Sequence, residues 1–214
     1  MRSSKPTAKS NPPGIVMIIP NLYYCFPGNK MIAKLLVDTV ISEMKNYFKG
    51  SSGHFSETRD VFSARLHSYI LETEKYLEAA VIGEIGNNTF DHNFGFNSSY
   101  PKGAYCNTAY KQKYTILADY GKGLRHSLLP VLPSINSDIE AIEIAFTKRI
   151  SGRSPEQRGN GLKFVSETVQ QNNWHLYFQS GSASCSIDRN GIAFFEETNS
   201  IMGCLAIIDF SGDK

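Results

Sequence analysis

The sequence predicts an α+β domain of two layers, in which helices cover one face of a mixed, mostly antiparallel sheet. Apolar residues with helical spacing dominate the first half of the chain. Short runs of β-branched and aromatic residues, separated by Gly, Asn and Asp, dominate the last forty or so residues. At 214 residues and 41% hydrophobic content, the chain can bury one core, so we expect a single domain with an N-terminal extension.

The N-terminal part is predicted as a tail and an extension that packs on the domain. Residues 1–14 are polar and rich in Ser, Lys and Pro, which is typical of a flexible tail. The extension, 15–71, starts with a β run over 15–19 that 22–26 continue past a turn. Asn29 then caps a predicted helix over 30–49. Its amphipathic stripe consists of Ile32, Leu35, Leu36, Thr39, Val40 and Met44.

A second helix over 57–71 leads into a central helix that begins near Glu72 and is ended by Gly95. The polar segment 149–159 contains two glycines and a proline and is predicted as a mobile loop. Three further helices are predicted over 121–129, over 138–148 with Asp138 as its cap, and over 162–171.

The strands are predicted in two groups. The runs 103–110 and 114–119, joined by a turn at 111–113, form a predicted hairpin. The later runs are predicted to pair as an antiparallel meander of four strands. These runs are 174–179, 183–188, 191–196 and 202–210.

Charge, hydropathy and cysteine spacing indicate which classes of protein to exclude. The net charge is only +2 and the basic residues are scattered, so no nucleic acid partner is expected. The longest apolar run, 15–19, is too short to span a bilayer, and the N-terminus has no secretory signal, so we expect a cytoplasmic protein with no membrane association. The four cysteines contain no C-x-x-C pair, which favours free, buried thiols over a zinc site.

Three polar side chains of the central helix share one face. Glu84, Asn88 and Asp91 stand at i, i+4 and i+7. The same face carries the apolar residues Leu77, Val81 and Ile85. The polar groups are therefore predicted to point at the core, where each unsatisfied group costs on the order of 1–3 kcal/mol. We expect them to pair with one another or to meet water, a metal ion or a ligand, as one wall of a site.

The first glycine turn is Asp119-Tyr-Gly-Lys-Gly123, directly after a predicted strand. An aspartate there presents a carboxylate beside backbone N–H groups, and it can accept a hydrogen bond from an exocyclic amino group such as that of adenine. Gly121 and Gly123 let a bulky ligand approach the main chain. An ordinary structural turn explains the same residues, so the motif alone leaves both interpretations open.

The second glycine turn is Arg158-Gly-Asn-Gly-Leu162, which opens a predicted helix. Unpaired N–H groups and the positive end of the helix dipole favour an anion there. The turn is neither a Walker A loop nor a dinucleotide fingerprint, because the required spacing and β-α-β context are missing. Alone, it is equally explained as an ordinary helix start.

Together and in this order, the motifs resemble the GHKL, or Bergerat-fold, superfamily of ATP-binding domains. Glu84-x-x-x-Asn88-x-x-Asp91 is similar to its N-box, Asp119-Tyr-Gly-Lys-Gly123 to the box that reads adenine, and Gly159-Asn-Gly-Leu162 to the box that closes on phosphate. The layout is similar to that of stand-alone anti-sigma-type proteins. The resemblance implies a Bergerat-type domain over 72–214, with an ATP lid over 125–158.

The resemblance also implies roles for individual residues, with Mg-ATP as the ligand. Asn88 would ligate Mg²⁺, and Glu84 would orient or deprotonate a water or hydroxyl nucleophile. Asp119 would bind the adenine amino group, and Asp91 would support either the adenine pocket or the helix face. Phosphate charge would be neutralised by Arg158 or Lys163. Close approach of the nucleotide is expected at Gly121, Gly123, Gly159, Asn160, Gly161 and Leu162. Gly203-Cys204 stands where the family often has Gly-Thr.

Three functions remain open at this point. The chain is an ATPase or protein serine/threonine kinase, a slow nucleotide-gated binding module, or a scaffold with an empty pocket. Histidine autokinase activity is not expected, since His92 lies inside the nucleotide-domain helix and His67 lacks an acidic partner and a helical hairpin. A partner protein is expected to dock on the lid or the N-terminal helices, and a homodimer is left open.

Overall fold

The computed structural model describes residues 55–92, 103–109, 114–148 and 161–212. Five helices and five strands lie in these ranges. The helices are α1 (Arg59–Thr73), α2 (Tyr76–His92), α3 (Gly123–Leu128), α4 (Asp138–Thr147) and α5 (Gly161–Gln171). The strands are β1 (Phe55–Ser56), β2 (Ala104–Ala109), β3 (Tyr114–Ala118), β4 (His175–Asp188) and β5 (Gly191–Asp209). The predicted tail, the strand runs at 15–19 and 22–26, the helix over 30–49, the turn at 111–113 and the loop at 149–159 lie outside the described residues.

The strands form one sheet in the order β1-β2-β3-β5-β4. Every pairing between these strands is antiparallel, so no parallel pair of the predicted mixed sheet is found among the described residues. The predicted hairpin of β2 and β3 is confirmed, with a register that runs from Tyr105 opposite Ala118 to Ala109 opposite Tyr114. Helices together with an antiparallel sheet confirm the α+β class.

The predicted meander of four strands is wrong, because β4 and β5 are two long strands that form one hairpin. The polar run around Ser180 and Ser182 looks like a turn in the sequence. In the structure it is a bulge, with a register shift between Ser180 and Ala183 and with Gly181 at φ +61°. A bulge absorbs an irregular backbone without ending the strand.

The starts of α1 and α2 and the cap of α4 differ from the prediction. Thr58 caps α1, since its hydroxyl accepts a hydrogen bond from the Val61 N–H at 3.4 Å. The chain then breaks at Glu74, where φ is +56°, so the central helix begins at Tyr76 and not near Glu72. Helix α4 is capped by Ser137 instead of Asp138, because the Ser137 hydroxyl accepts from the Glu140 N–H at 3.2 Å.

The described helices bury their apolar stripes on one face of the sheet, which we call the first face. Its centre is formed by Leu117, Phe178 and Ile208. The helix residues packed with them include Val81, Ile82, Ile142, Phe146, Val165 and Val169. Helix α2 thereby crosses the sheet beside α5, and its second half lies above the end of β3. This places the central helix next to the turn that follows β3.

Three cysteines fall in the described ranges. Cys106, Cys185 and Cys204 are free thiols, and Cys185 is buried; Cys25 lies outside these ranges. Among the helices that the structure describes, none combines the length and the apolar character that crossing a membrane requires.

Candidate functional site

The Asp119 carboxylate, directly after β3, is held by donors from three parts of the chain. Its Oδ1 accepts from the Gly121 N–H at 2.8 Å and from the Cys204 N–H at 3.3 Å. Its Oδ2 accepts from the Thr89 hydroxyl of α2 at 3.1 Å. The side chain is therefore fixed in orientation. Each carboxylate oxygen can accept two hydrogen bonds, so Oδ2 keeps capacity for a further donor.

Burial raises the pKa of the Asp119 carboxyl above its ordinary value of 3.8. The hydrogen bonds from Gly121, Thr89 and Cys204 act in the opposite direction and only partly offset the burial. A ligand that donates one more hydrogen bond to this carboxylate would favour its ionised form. The carboxylate is thus suited to a neutral donor such as an amino group on a planar base.

Gly203 lets β5 pass directly behind Asp119. Its φ is +78°, and a Cβ at this position would lie 2.1 Å from the Asp119 carbonyl oxygen and 2.6 Å from Oδ1. The Asp119 N–H in turn donates to the Cys204 carbonyl at 3.0 Å. Only glycine permits this approach, because any side chain would overlap the Asp119 backbone.

Cys204 contributes its main chain to the site, while its thiol points elsewhere. The Sγ atom lies 3.6 Å from the Ser180 hydroxyl. Burial, followed by the nearby Asp119 carboxylate, raises the pKa of this thiol well above its ordinary value. Gly203 and Cys204 therefore contact Asp119 through the backbone.

Gly121 and Gly123 lie in the turn after β3, as the sequence predicts. Gly121 is buried and donates to Asp119, while Gly123 has φ +77° and begins α3. The Leu124 N–H donates to the Ser180 hydroxyl at 2.9 Å, and Ser180 donates to the Gly203 carbonyl at 3.1 Å. The turn is thereby tied to both β4 and β5.

Glu84 is exposed, so its predicted burial is wrong. The buried stripe of α2 contains Val81, Ile82 and Ile85, whereas Leu77 is 42% exposed. Glu84 lies at the edge of this stripe, where solvent reaches its carboxylate, and the penalty for an unsatisfied buried carboxylate does not apply to it.

Glu84 nevertheless lies beside the second glycine motif. A Cβ on Gly161 would come within 2.4 Å of Glu84 Oε2, so the carboxylate rests against the first residue of α5. Asn88, one turn further along α2, is half-buried. The structure thus brings Glu84 next to Gly161, and Asn88 follows one turn later on the same helix.

Asp91 is tied to α1. Its carboxylate forms an ion pair with Arg59, whose guanidinium also donates to the Asn87 carbonyl at 3.5 Å. This contact fits the second of its two predicted roles, support of the helix face. Next to it, the Asn87 Oδ1 is buried without a hydrogen-bond partner within the described residues.

Of the remaining predicted site residues, Leu162 and Lys163 lie in the described ranges. Leu162 packs at the margin of the core, and Lys163 lies 3.7 Å from Glu167 in an i,i+4 ion pair. Arg158, Gly159 and Asn160 lie outside the described residues.

The predicted lid, 125–158, divides into two parts. Its first part includes most of α3 and all of α4, and α4 is a fixed layer of the core with Ala141 and Ile142 fully buried. The Asp138 carboxylate also accepts from the Ser182 N–H at 2.9 Å, which ties α4 to the bulge of β4. The second part, 149–158, lies outside the described residues.

Sequence reasoning missed Thr89 and Ser180, which hold Asp119 and the turn after it. Thr89 carries a signal, since it stands seven residues after Ile82 and four after Ile85, as a hydroxyl in a buried apolar stripe. Ser180 carries none, because the bulge around it looks like a turn in the sequence.

Two sequence comparisons, one with protein families and one with curated proteins, identify no relative. No protein-family model matches the chain, and no curated protein sequence matches it significantly. What the site does is therefore inferred from its own residues and from the order of its motifs.

Proposed function

We propose that the chain binds Mg-ATP between α2, the turn after β3 and the start of α5, in a Bergerat-type pocket. It then hydrolyses the nucleotide or transfers a phosphoryl group to a partner protein. The observation that carries this proposal is the Asp119 carboxylate, which three donors orient beside glycine backbone. The GHKL-like order of the three motifs supports it.

The base-binding end of the proposed site is formed by Asp119. The carboxylate accepts the adenine amino group at Oδ2, beside the Thr89 hydroxyl. Gly121 has no side chain to keep a flat base away from the main chain next to Asp119. Since burial raises the pKa of Asp119, a donated hydrogen bond from the base stabilises the ionised carboxylate.

The phosphate end is formed by α2 and α5. The Asn88 carboxamide oxygen is a hard ligand of the kind that Mg²⁺ prefers, and Mg²⁺ sites commonly take few protein ligands besides water and phosphate. Bound Mg²⁺ would neutralise phosphate charge. Glu84 is exposed and lies beside Gly161, so it is free to take a proton from a water or hydroxyl near the start of α5.

The test is a calorimetric titration of the full chain with Mg-ATP. We expect saturable binding by the wild type and at least a tenfold loss in Asp119→Asn, since one acceptor of the amino group is replaced (about 1.4 kcal/mol). Asp188→Asn is the matched control, because Asp188 also accepts a backbone N–H two residues on, at 2.7 Å from Asn190, but in the β4–β5 turn. Absence of binding by the wild type contradicts the proposal.

A nucleotide-gated binding module is the second candidate, favoured by the exposed position of Glu84. The Glu84 carboxylate rests against Gly161, where a phosphate is expected. This geometry is consistent with ATP binding without fast turnover. ATP turnover of the wild type and Glu84→Ala separates the two candidates. Tight binding with no turnover, and with no labelled phosphate on any protein, favours the module.

A further inference from the structure

The sheet has a second face, opposite the helices, that is as deeply buried as the first. It is formed at its centre by Ile116, Ile207 and Tyr177, which stand side by side on β3, β5 and β4. All three are 0% exposed. Their neighbours on this face are Tyr114, Ala118 and Leu205, each at most 7% exposed.

Successive side chains of each strand point to opposite faces of the sheet, so different residues form the second face and the first. Phe178 packs on Phe146 of α4, with ring centroids 5.1 Å apart, whereas Tyr177 points the opposite way. Ile116 and Ile207 likewise do not belong to the core that the described helices form with Leu117 and its neighbours. Within the ranges that the structure describes, no helix or strand lies over Ile116, Ile207 and Tyr177.

The buried part of the second face ends before the tip of the β4–β5 hairpin. Towards the tip of the β4–β5 hairpin, Ala193 and Phe195 occupy the same face of the sheet and are exposed, Phe195 to 40%. Whatever covers the second face therefore lies over the paired centre of β3, β5 and β4 and stops before the tip.

We propose that residues 30–49 of the same chain pack across the second face as an amphipathic helix. The chain enters the described part at Phe55, on the edge strand β1, directly after the N-terminal 54 residues. The other internal stretches are less suited to this position. Segment 110–113 has four residues, and 149–160 joins α4 to α5, which both pack on the first face. Segment 93–102 has ten residues, half as many as 30–49.

The proposed helix is long and wide enough to cover the buried patch. Three strands span about 10 Å across, and the five residues of β3 span about 17 Å along the sheet. A helix of 20 residues is about 30 Å long and roughly 10 Å wide. The stripe of Ile32, Leu36 and Val40 repeats every four residues and gives this helix one apolar side.

The polar groups at the margin of the patch are compatible with an apolar cover. The Tyr177 hydroxyl donates to Gln179 Oε1 at 2.9 Å, and the Ser184 hydroxyl donates to Glu197 Oε1 at 2.5 Å. Because these groups bond to one another within the sheet, an aliphatic stripe packed over them leaves their hydrogen bonds in place.

Photo-crosslinking from two adjacent residues tests the proposal in the full chain. Tyr177 or Phe178 is replaced by the photoreactive p-benzoylphenylalanine, and the crosslinked peptides are identified by mass spectrometry. From Tyr177 we expect capture of residues 30–49, and from Phe178 capture of α4 or α5. Capture of 93–102 from Tyr177 would overturn the proposal. Mixing ¹⁴N- and ¹⁵N-labelled chains shows the source, and capture from a second copy would overturn the same-chain assignment.

A thermal unfolding series tests the same packing with smaller changes. Leu36→Asn places a polar group in the stripe, and we expect its Tm to fall by at least about 5 °C. Lys34→Gln, on the opposite side of the same predicted helix, serves as control and is expected to change Tm by less than about 1 °C. Equal Tm values for the two variants would overturn the proposal. The inference is independent of ATP, so a failed nucleotide titration leaves it standing.

Discussion

Two glycines lie against two carboxylates at opposite ends of the proposed site, and they differ in what surrounds them. At Gly203, a Cβ would collide with the Asp119 carbonyl oxygen at 2.1 Å, and φ is +78°. At Gly161, a Cβ would approach only Glu84 Oε2, the far end of a flexible side chain, at 2.4 Å. The first contact is backbone against backbone. The second is a helix start against a side chain that solvent reaches.

The difference indicates how the two ends work. Asp119 is held by three hydrogen bonds, so the proposed base-binding end is preorganised before any ligand arrives. Glu84 can rotate away from Gly161 at little cost, so the phosphate end can adjust when a ligand arrives. Under the proposed function, Asp119 would supply specificity for the base and Glu84 would adjust to the phosphates.

The largest effect is expected for Gly203→Ala. A left-handed φ in a non-glycine residue costs about 1–3 kcal/mol, and the overlap with the Asp119 backbone adds about 1–3 kcal/mol more. We expect a clear drop in the free energy of unfolding, measured by urea denaturation. Gly191→Ala is the control, because Gly191 also has positive φ, +132°, but has no atom within 4 Å of its added Cβ. Equal losses in both variants would show that the contact with Asp119 is unimportant.

The next effect is a dependence of stability on pH. Because burial raises the pKa of Asp119 in the folded chain, the folded state binds a proton more tightly than the unfolded state, whose ordinary value is 3.8. The contribution of Asp119 is therefore fully present below about pH 4 and is lost as pH rises through the folded pKa. Asp119→Asn removes this term, so its stability relative to the wild type should rise with pH. Parallel curves for the two proteins, from urea denaturation at pH 3.5 to 8, contradict this.

A smaller effect is expected for Thr89→Val, which keeps the shape of the side chain and removes the donor to Asp119 Oδ2. We expect a loss of about 1 kcal/mol in the free energy of unfolding and a weaker affinity for Mg-ATP. Thr147→Val is the matched control, since its hydroxyl donates to the Glu143 carbonyl on the exposed side of α4. If the two variants lose the same stability and ATP affinity, Thr89 does not orient the carboxylate.

The sequence predicts the base-binding end better than the phosphate end, for a physical reason. Asp119, Gly121 and Gly123 are consecutive in a turn after a strand, so local chemistry specifies their arrangement. The exposure of Glu84 depends on how α2 is rotated against the sheet, and a pattern of apolar residues defines that rotation only to within about one position in the helix. The helical periodicity predicts Leu77 in the buried apolar stripe of α2, but this side chain is exposed in the structure.

The site contacts that the sequence did not predict depend on strand pairing between residues far apart in the chain. Gly203 contacts Asp119, and Ser180 contacts the turn after it, only because β4 and β5 are long strands that continue through a bulge. The polar residues 180–182 at this bulge resemble a turn in the sequence. The start of α1 was predicted two residues early and the cap of α4 one residue late, because several Ser, Thr and Asp residues stand near each helix start. The class of fold, by contrast, depends on period alone and was predicted correctly.

The smallest effect is expected for Gly161→Ala, and this variant tests the difference between the Asp119 end and the Glu84 end most directly. The new methyl group meets only the Glu84 carboxylate, which can turn into solvent, and alanine favours the helix by up to about 1 kcal/mol over glycine. We therefore expect stability within about 0.5 kcal/mol of the wild type or slightly above it, measured by urea denaturation. Glu84→Ala with Gly161→Ala closes a double-mutant cycle whose coupling energy reports the contact itself. A loss as large as that of Gly203→Ala would mean that Glu84 is held as rigidly as Asp119, and the distinction between a preorganised end and an adjustable end would then be wrong.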